Sequence, residues 1–260
     1  MTAALPARPA GDSVLRVEGL TKSFGGDDVV HDVSFTVAAG ELVALIGPNG
    51  AGKTTCFNMI NGQLRRDRGT VALRGTRIDG LPPRAIARLG VGRTFQVAAT
   101  FASMTVRESV QLALLAHYGA HRGIGARATD CLRVEADALL ERVRMRRLAE
   151  AGCATLAYGD AKRVELALAL AAAPVLLLMD EPTAGMSPRS RGRLMQLAAD
   201  LARSERIAVL FTEHDMDVVF GHADRVIVLD RGRMIAEGSP AEIRANPRVQ
   251  AVYLGEDVPG

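Results

Sequence analysis

Two short stretches carry residues whose types and spacing suit phosphate chemistry. Residues 47 to 60 read GPNGAGKTTCFNMI, directly after the apolar run Leu42-Val43-Ala44-Leu45-Ile46. Gly47 to Thr54 fits the pattern G-x-x-x-x-G-K-[S/T] between a buried strand and a helix-competent segment, the context that gives this pattern its meaning. Glycines let successive backbone N–H groups converge on phosphate oxygens, and the helix that follows turns its positive end towards them. In such a loop Lys53 reaches the β- and γ-phosphates of a nucleotide, and the Thr54 hydroxyl suits Mg²⁺. Pro48, Asn49, Gly50, Ala51, Gly52 and Thr55 complete the expected nucleotide contacts. A plain strand-to-helix turn accounts for the glycines alone; the full pattern in this context points to a nucleotide.

The second stretch, VLLLMDEPTAGM at residues 175 to 186, ends an apolar run with adjacent Asp180 and Glu181. The carboxyl end of a buried parallel strand is where an α/β sheet keeps its ligand crevice. There Asp180 can hold Mg²⁺ through water, and Glu181 can orient and polarise an attacking water. His214 follows a third apolar run in LFTEHDMDVV and is expected on the same edge of the sheet, facing the γ-phosphate. Spacing alone says little about Gln96 in RTFQ.

The elements needed to position these residues are visible as patterns. Short apolar stretches at 14–17, 33–37 and 42–46, then GTVALRGTRID at 69–79, describe a β-rich front section. Between 105 and 150 the apolar residues recur at helical spacing, and Gly119 to Gly125 divides that region in two. Wholly apolar runs at 175–179, 207–211 and 226–229 follow, with a helical pattern at 189–203 between the first two. Strands of that kind alternating with helices imply a parallel sheet covered on both faces. The expected fold is therefore α/β: a parallel-sheet core, an antiparallel β part in front, and a helical part over about residues 97–165.

Composition narrows the class. The chain has 260 residues, 48% of them apolar, and a formal charge of +3, with no lysine-rich stripe to favour nucleic acid. Arg142 to Arg147 is the densest basic run and reads as a solvated helix face. Three cysteines, Cys56, Cys131 and Cys153, show neither a paired framework nor metal-ligand spacing, which suits a reducing compartment. Residues 1–13 read as a loose tail and not a signal peptide, and 255–260 as a short C-terminal one. The longest uncharged apolar run, residues 166–179, is interrupted by Pro174 and falls short of the roughly 20 residues that span a bilayer. It reads as a helix end, a break and a buried strand in a chain expected to be soluble by itself.

Taken together, these residues resemble the ATP-binding cassette family from about Val14 to Leu254. The resemblance makes the parallel-sheet core a P-loop NTPase of that type. It implies ATP and Mg²⁺ as cofactors and ATP hydrolysis with Glu181 as the base. It makes His214 the γ-phosphate switch, and Gln96 a link between Mg²⁺ and a membrane partner. Phe24, in TKSFGG, matches the aromatic that stacks on adenine. The family's LSGGQ signature is replaced here by Leu156-Ala157-Tyr158-Gly159-Asp160, a departure at three of five positions. Ala157, Tyr158 and Gly159 are the expected contacts to a partner chain's ATP. Ser187 stands where the family commonly has an aspartate, which implies softer coupling across the dimer.

The tail IAEGSPAEIRANPRVQAVYLG, with LAYG and TEHDMDVVF, is similar to a narrower group, the ATPase subunits of branched-chain amino-acid-type importers, which also serve amides and urea. That likeness implies a head-to-tail pair of ATPase subunits, homo- or heterodimeric, bound to transmembrane permeases at the cytoplasmic face of the plasma membrane. A periplasmic or extracellular binding protein would deliver the substrate, and no nucleic acid is expected as a partner. The alternative, a soluble cassette ATPase acting on nucleic acid or ribosomes, calls for a coiled-coil insert or two cassettes in one chain. A nucleotide-binding regulator without turnover leaves Glu181 unexplained.

Overall fold

The computed structural model describes residues 13–94, 103–118 and 127–254. Two sheets organise them. The first is antiparallel, in the order β2–β1–β4–β5, built from Ser13–Phe24 (β1), Asp27–Ala38 (β2), Arg68–Leu73 (β4) and Thr76–Arg77 (β5). The strands at the front extend well beyond the short apolar stretches that announced them. Register shifts along the β1–β2 pair break the strict alternation by which a long strand is recognised.

The second sheet has the order β10–β9–β3–β8–β7–β6. Leu42–Ile46 (β3), Val91–Thr94 (β6), Leu176–Asp180 (β7), Ala208–Thr212 (β8) and Arg225–Asp230 (β9) run parallel. Arg233–Gly238 (β10) is antiparallel to β9 at the edge. Every residue of β3, β7 and β8 is buried, as expected of strands covered on both sides.

The two faces of this sheet belong to two apolar clusters, divided by the period-two alternation of side chains along a strand. Leu42, Ala44 and Ile46 of β3, with Val209 and Phe211 of β8, join the helical side of the core. Val43 and Leu45, with Ala208 and Leu210, join Val17, Leu20 and Val71 of the antiparallel sheet. The helix Lys53–Ile60 (α1) is wedged on that second side through Cys56, Phe57 and Ile60.

After the short helix Pro83–Arg88 (α2), the helical part comprises Val106–Tyr118 (α3), Arg127–Arg142 (α4) and Tyr158–Leu170 (α5), with 3₁₀ turns at Arg146–Leu148 and Cys153–Thr155. Arg107, only 5% exposed, ties α3 to α4 by donating from Nε to Asp137 Oδ1 at 2.7 Å and by pairing with Glu150. The basic run 142–147 is not one solvated helix face. α4 ends at Arg142, Arg144 turns to φ +59°, and Arg142, Arg144 and Arg146 pair with Glu205, Asp200 and, back within α4, Asp137. A charge run read along the chain cannot reveal partners about 60 residues away, such as Glu205, 63 residues from Arg142.

Pro188–Glu205 (α6) starts on Ser187 with a proline at its first position, where the missing N–H costs nothing. Met216–His222 (α7) is capped by the Asp215 carboxylate, and Pro240–Ala245 (α8) by a capping box between Ser239 and Glu242. Pro247–Leu254 (α9) closes the described chain. Neither β6, β10 nor the terminal helices stood out in the sequence. Ser13, the last residue assigned to the loose tail, already belongs to β1; the rest of both expected tails lies outside the described residues.

Candidate functional site

The glycine loop bridges β3 and α1, and two of its glycines are dictated by geometry. At Gly47, with φ +152°, a Cβ would stand 2.2 Å from the Leu229 carbonyl oxygen. At Gly52, with φ +98°, it would stand 2.6 Å from the Val29 carbonyl oxygen. No side chain fits either place, so the loop packs against β9 on one side and the β1–β2 hairpin on the other. Gly52 is also the N-cap of α1 and brings no side chain to the first N–H groups, leaving them for an anion.

Lys53 is buried beneath this loop and donates to the Gly47 and Pro48 carbonyls at 2.7 and 3.0 Å. Burial lowers its pKa, opposed by the carboxylates of Glu181 and Asp180, so the ammonium sits within the field of both acids. Asn49, Gly50 and Thr54 are exposed along the loop, while Ala51 is buried.

β7 and β8 deliver the carboxylates in register, with Asp180 opposite Thr212. Asp180 is held at Oδ1 by the Thr212 hydroxyl (2.7 Å) and at Oδ2 by Arg93 of β6 (3.2 Å). Arg93 also donates to Asn58 of α1 and to Gln63, joining the helix behind the loop to the carboxylate. Glu181 adopts φ +46°, and His214 Nε2 lies 2.6 Å from Glu181 Oε1. Next to His214 in the chain, the buried Glu213 carboxylate accepts from the Thr183 backbone N–H and hydroxyl at 2.8 and 2.7 Å. An open cleft of about 330 Å³ lies over Glu181, Thr183, Glu213 and His214.

The structure thus brings Lys53, Asp180, Glu181 and His214 together at the carboxyl ends of three adjacent strands. Phe24 is 48% exposed at the tip of the β1–β2 hairpin, with Lys22 Nζ 5.3 Å from its ring centroid. Ala157, Tyr158 and Gly159 form the start of α5, which has no side-chain cap. Their nearest company is the turn after β7: the Tyr158 ring lies over Gly185, and Gly159 faces Met186 and Ser190. Gln96 lies outside the described residues.

Sequence reading missed Arg93, Thr212 and Glu213, although each stands beside a residue that it singled out. It also missed Tyr253 of α9, which is 39% exposed overall but whose phenol is pushed up to about 12 by burial, with the Gly47 backbone opposing. The only signal for Tyr253 was the tail itself.

An α/β sheet with a phosphate loop at one strand end and an acid pair at another defines a P-loop nucleotide hydrolase. Comparison with known proteins narrows this. Residues 30–184 match the ABC transporter family, and residues 233–259 match the family described as branched-chain amino acid ATP-binding cassette transporter. The chain is 41% identical to the high-affinity branched-chain amino acid transport ATP-binding protein LivG of Salmonella typhimurium, over 94% of this chain and 98% of that one. It is 39% identical to BraF of Pseudomonas aeruginosa, described in the same words, over the same shares. Its fold matches the crystal structure of a nucleotide-free ATP-binding cassette from an ABC transporter, with a TM-score of 0.82 and 29% identity over 94% of this chain and all of that one. A dimeric cassette in a post-hydrolysis state with ADP and Pi matches at a TM-score of 0.72, with 25% identity over 87% of this chain and 98% of that one. The chain belongs to the ABC transporter family and is its ATP-binding, ATP-hydrolysing subunit.

Proposed function

We propose that this subunit powers an importer for branched-chain amino acids, pairing head to tail with a second ATPase subunit beneath transmembrane permeases. The observation that carries the reading is the likeness to LivG and BraF over nearly the whole of both chains, tail included. No helix among the described residues is long and apolar enough to cross a membrane, so attachment at the cytoplasmic face would come through the permeases. The docking surface would lie beside Gln96 and the helical part, with substrate supplied by a binding protein.

Within the site, the loop from Gly47 to Thr55 would wrap the phosphates, with Lys53 exchanging loop carbonyls for phosphate oxygens. Phe24 would stack on adenine. Asp180 and Thr54, with Gln96, would hold Mg²⁺. Among the described residues no group of three or more His, Cys, Asp or Glu gathers to cage a metal. One carboxylate and one hydroxyl suit a hard cation that takes its remaining oxygens from nucleotide and water. Mg²⁺ would neutralise phosphate charge there. Glu181 would take the proton of the attacking water, and His214, already at Glu181 Oε1, would hold both that carboxylate and the γ-phosphate. Ala157, Tyr158 and Gly159 would meet the ATP held by the partner chain.

Uptake by a strain lacking this gene tests the reading. Restoring the gene should restore accumulation of labelled leucine, and a copy carrying Lys53→Ala should not. Restored uptake of urea or an amide without leucine would replace the substrate assignment. No change in any uptake would end the importer reading.

A further inference from the structure

Asp180 and Glu181 are consecutive residues given different tasks, and one side chain of the neighbouring strand holds both. Thr212 closes β8 and is 1% exposed. Its hydroxyl donates to Asp180 Oδ1 at 2.7 Å and accepts from the Glu181 backbone N–H at 3.0 Å. The Thr212 carbonyl accepts from the same N–H at 3.2 Å. These bonds lie where β7 gives way to its turn, and there Glu181 stands at φ +46°, a left-handed conformation that a residue with a Cβ keeps only when its surroundings enforce it.

We propose that Thr212 is a positioning residue for ATP hydrolysis, its single hydroxyl locking the Asp180 carboxylate to the Glu181 backbone. The proposal rests on the roles assigned above to Asp180 and Glu181. A hydroxyl has one donor hydrogen and two acceptor lone pairs, so it can serve both neighbours at once. The end of β8 then grips Glu181 twice, at the backbone through Thr212 and at the side chain through His214 (2.6 Å). Without the hydroxyl, Asp180 keeps Arg93 at Oδ2 and loses its tether at Oδ1. Its carboxylate can then swing towards the guanidinium, away from the place it must hold for the metal. The Glu181 N–H loses its shorter bond and keeps the longer one to the Thr212 carbonyl, and the strained turn can relax.

Valine has the shape of threonine and makes neither bond; serine makes both. Thr212→Val should lower kcat at least tenfold while the ATP Kd in EDTA stays within twofold. The Mg²⁺ concentration for half-maximal nucleotide binding should rise several-fold. Thr212→Ser should recover kcat to within threefold of the parent, and thermal melting should show all variants folded. If valine prevents folding, Thr212→Ala removes the hydroxyl without that shape and is read in the same way. Parent-like kcat and Mg²⁺ dependence in the hydroxyl-free variant would overturn the proposal. So would a serine variant as slow as valine, because packing of the methyl group would then be the cause. Asp180→Asn and Glu181→Gln belong in the same series. If these two stay active, the site assignment itself fails; if they are inactive and Thr212→Val is not, only the role of Thr212 falls.

Discussion

Gly159→Asp should raise the stability of the isolated chain and abolish turnover of the pair. Gly159 is the second residue of α5, whose N-cap Ala157 offers its free N–H groups no side chain. A Cβ added there would meet Met186 Cε at 3.5 Å and the Ser190 Cβ and Oγ at 3.6 and 3.7 Å, all ordinary contacts, so a side chain fits. Replacing glycine in the first helical turn gains about 0.3 kcal/mol in propensity. A carboxylate at the positive end of the helix adds about 0.3–1 kcal/mol, some of it offset by Asp160 next door. The net gain of about 0.5–1 kcal/mol should lift the melting temperature by roughly 1–3 °C in a chain of this size. In the head-to-tail pair the same carboxylate would face the partner's γ-phosphate. At about 4 Å and an effective dielectric constant of about 20, two unit charges repel by about 4 kcal/mol, or roughly 10³-fold in population of the closed pair. Melting curves, nucleotide titration of the isolated chain and steady-state ATPase of the pair separate these effects. A lowered melting temperature, with nucleotide binding lost in step with turnover, would refute the reasoning and make Gly159 a residue of the local fold only.

Glu181→Gln should keep Mg²⁺-dependent ATP binding and lose about 10²- to 10⁴-fold in turnover. It should accumulate as an ATP-bound dimer on gel filtration that ADP does not produce, and near-normal ATPase activity with the permeases present would remove Glu181 from the mechanism. Tyr253 supplies a pH prediction: with its folded pKa raised to about 12 above the usual 10, the neutral phenol stabilises the fold fully below pH 10, and that contribution is lost as pH rises from 10 towards 12. An ultraviolet titration of the native protein should show a phenol ionising near 12 that disappears in Tyr253→Phe, and an unaltered titration curve would place Tyr253 away from the loop.

The parts of this protein most legible in its sequence are those fixed by short-range rules. β3, β7, β8 and β9 read as unbroken apolar runs because both faces of their sheet are covered. The loop at Gly47 to Thr54 is legible because two of its glycines, Gly47 and Gly52, are forced by backbone approaches of 2.2 and 2.6 Å that no other residue survives. What stayed hidden depends on pairings between distant segments. Arg93 looked like any arginine, and only the β6–β7 register sets it against Asp180, 87 residues away. Glu213 carries no signal of its own in the sequence, yet it is buried and bonded to Thr183, 30 residues back. β10 is an edge strand of mostly half-buried residues and carries no clear periodicity. The arginines at 142–147 were misread for the same reason, since their partners lie on α6 and within α4.

The hidden pairings also explain how a site so rich in charge stays folded before nucleotide arrives. Lys53 rests on loop carbonyls, Asp180 lies between Thr212 and Arg93, Glu181 meets His214, and Glu213 is satisfied by Thr183. Each buried charge therefore has a partner, which removes the penalty that an isolated one would carry. Polyphosphate entering this arrangement would bring several negative charges to a site that already holds the Asp180, Glu181 and Glu213 carboxylates beside the Lys53 ammonium and the Arg93 guanidinium. Burial lowers the pKa of Lys53 against the pull of both carboxylates, and incoming phosphate would add to that pull and hold the ammonium charged. A divalent cation beside Asp180 would offset part of that added charge, which is why nucleotide and metal are expected to enter together.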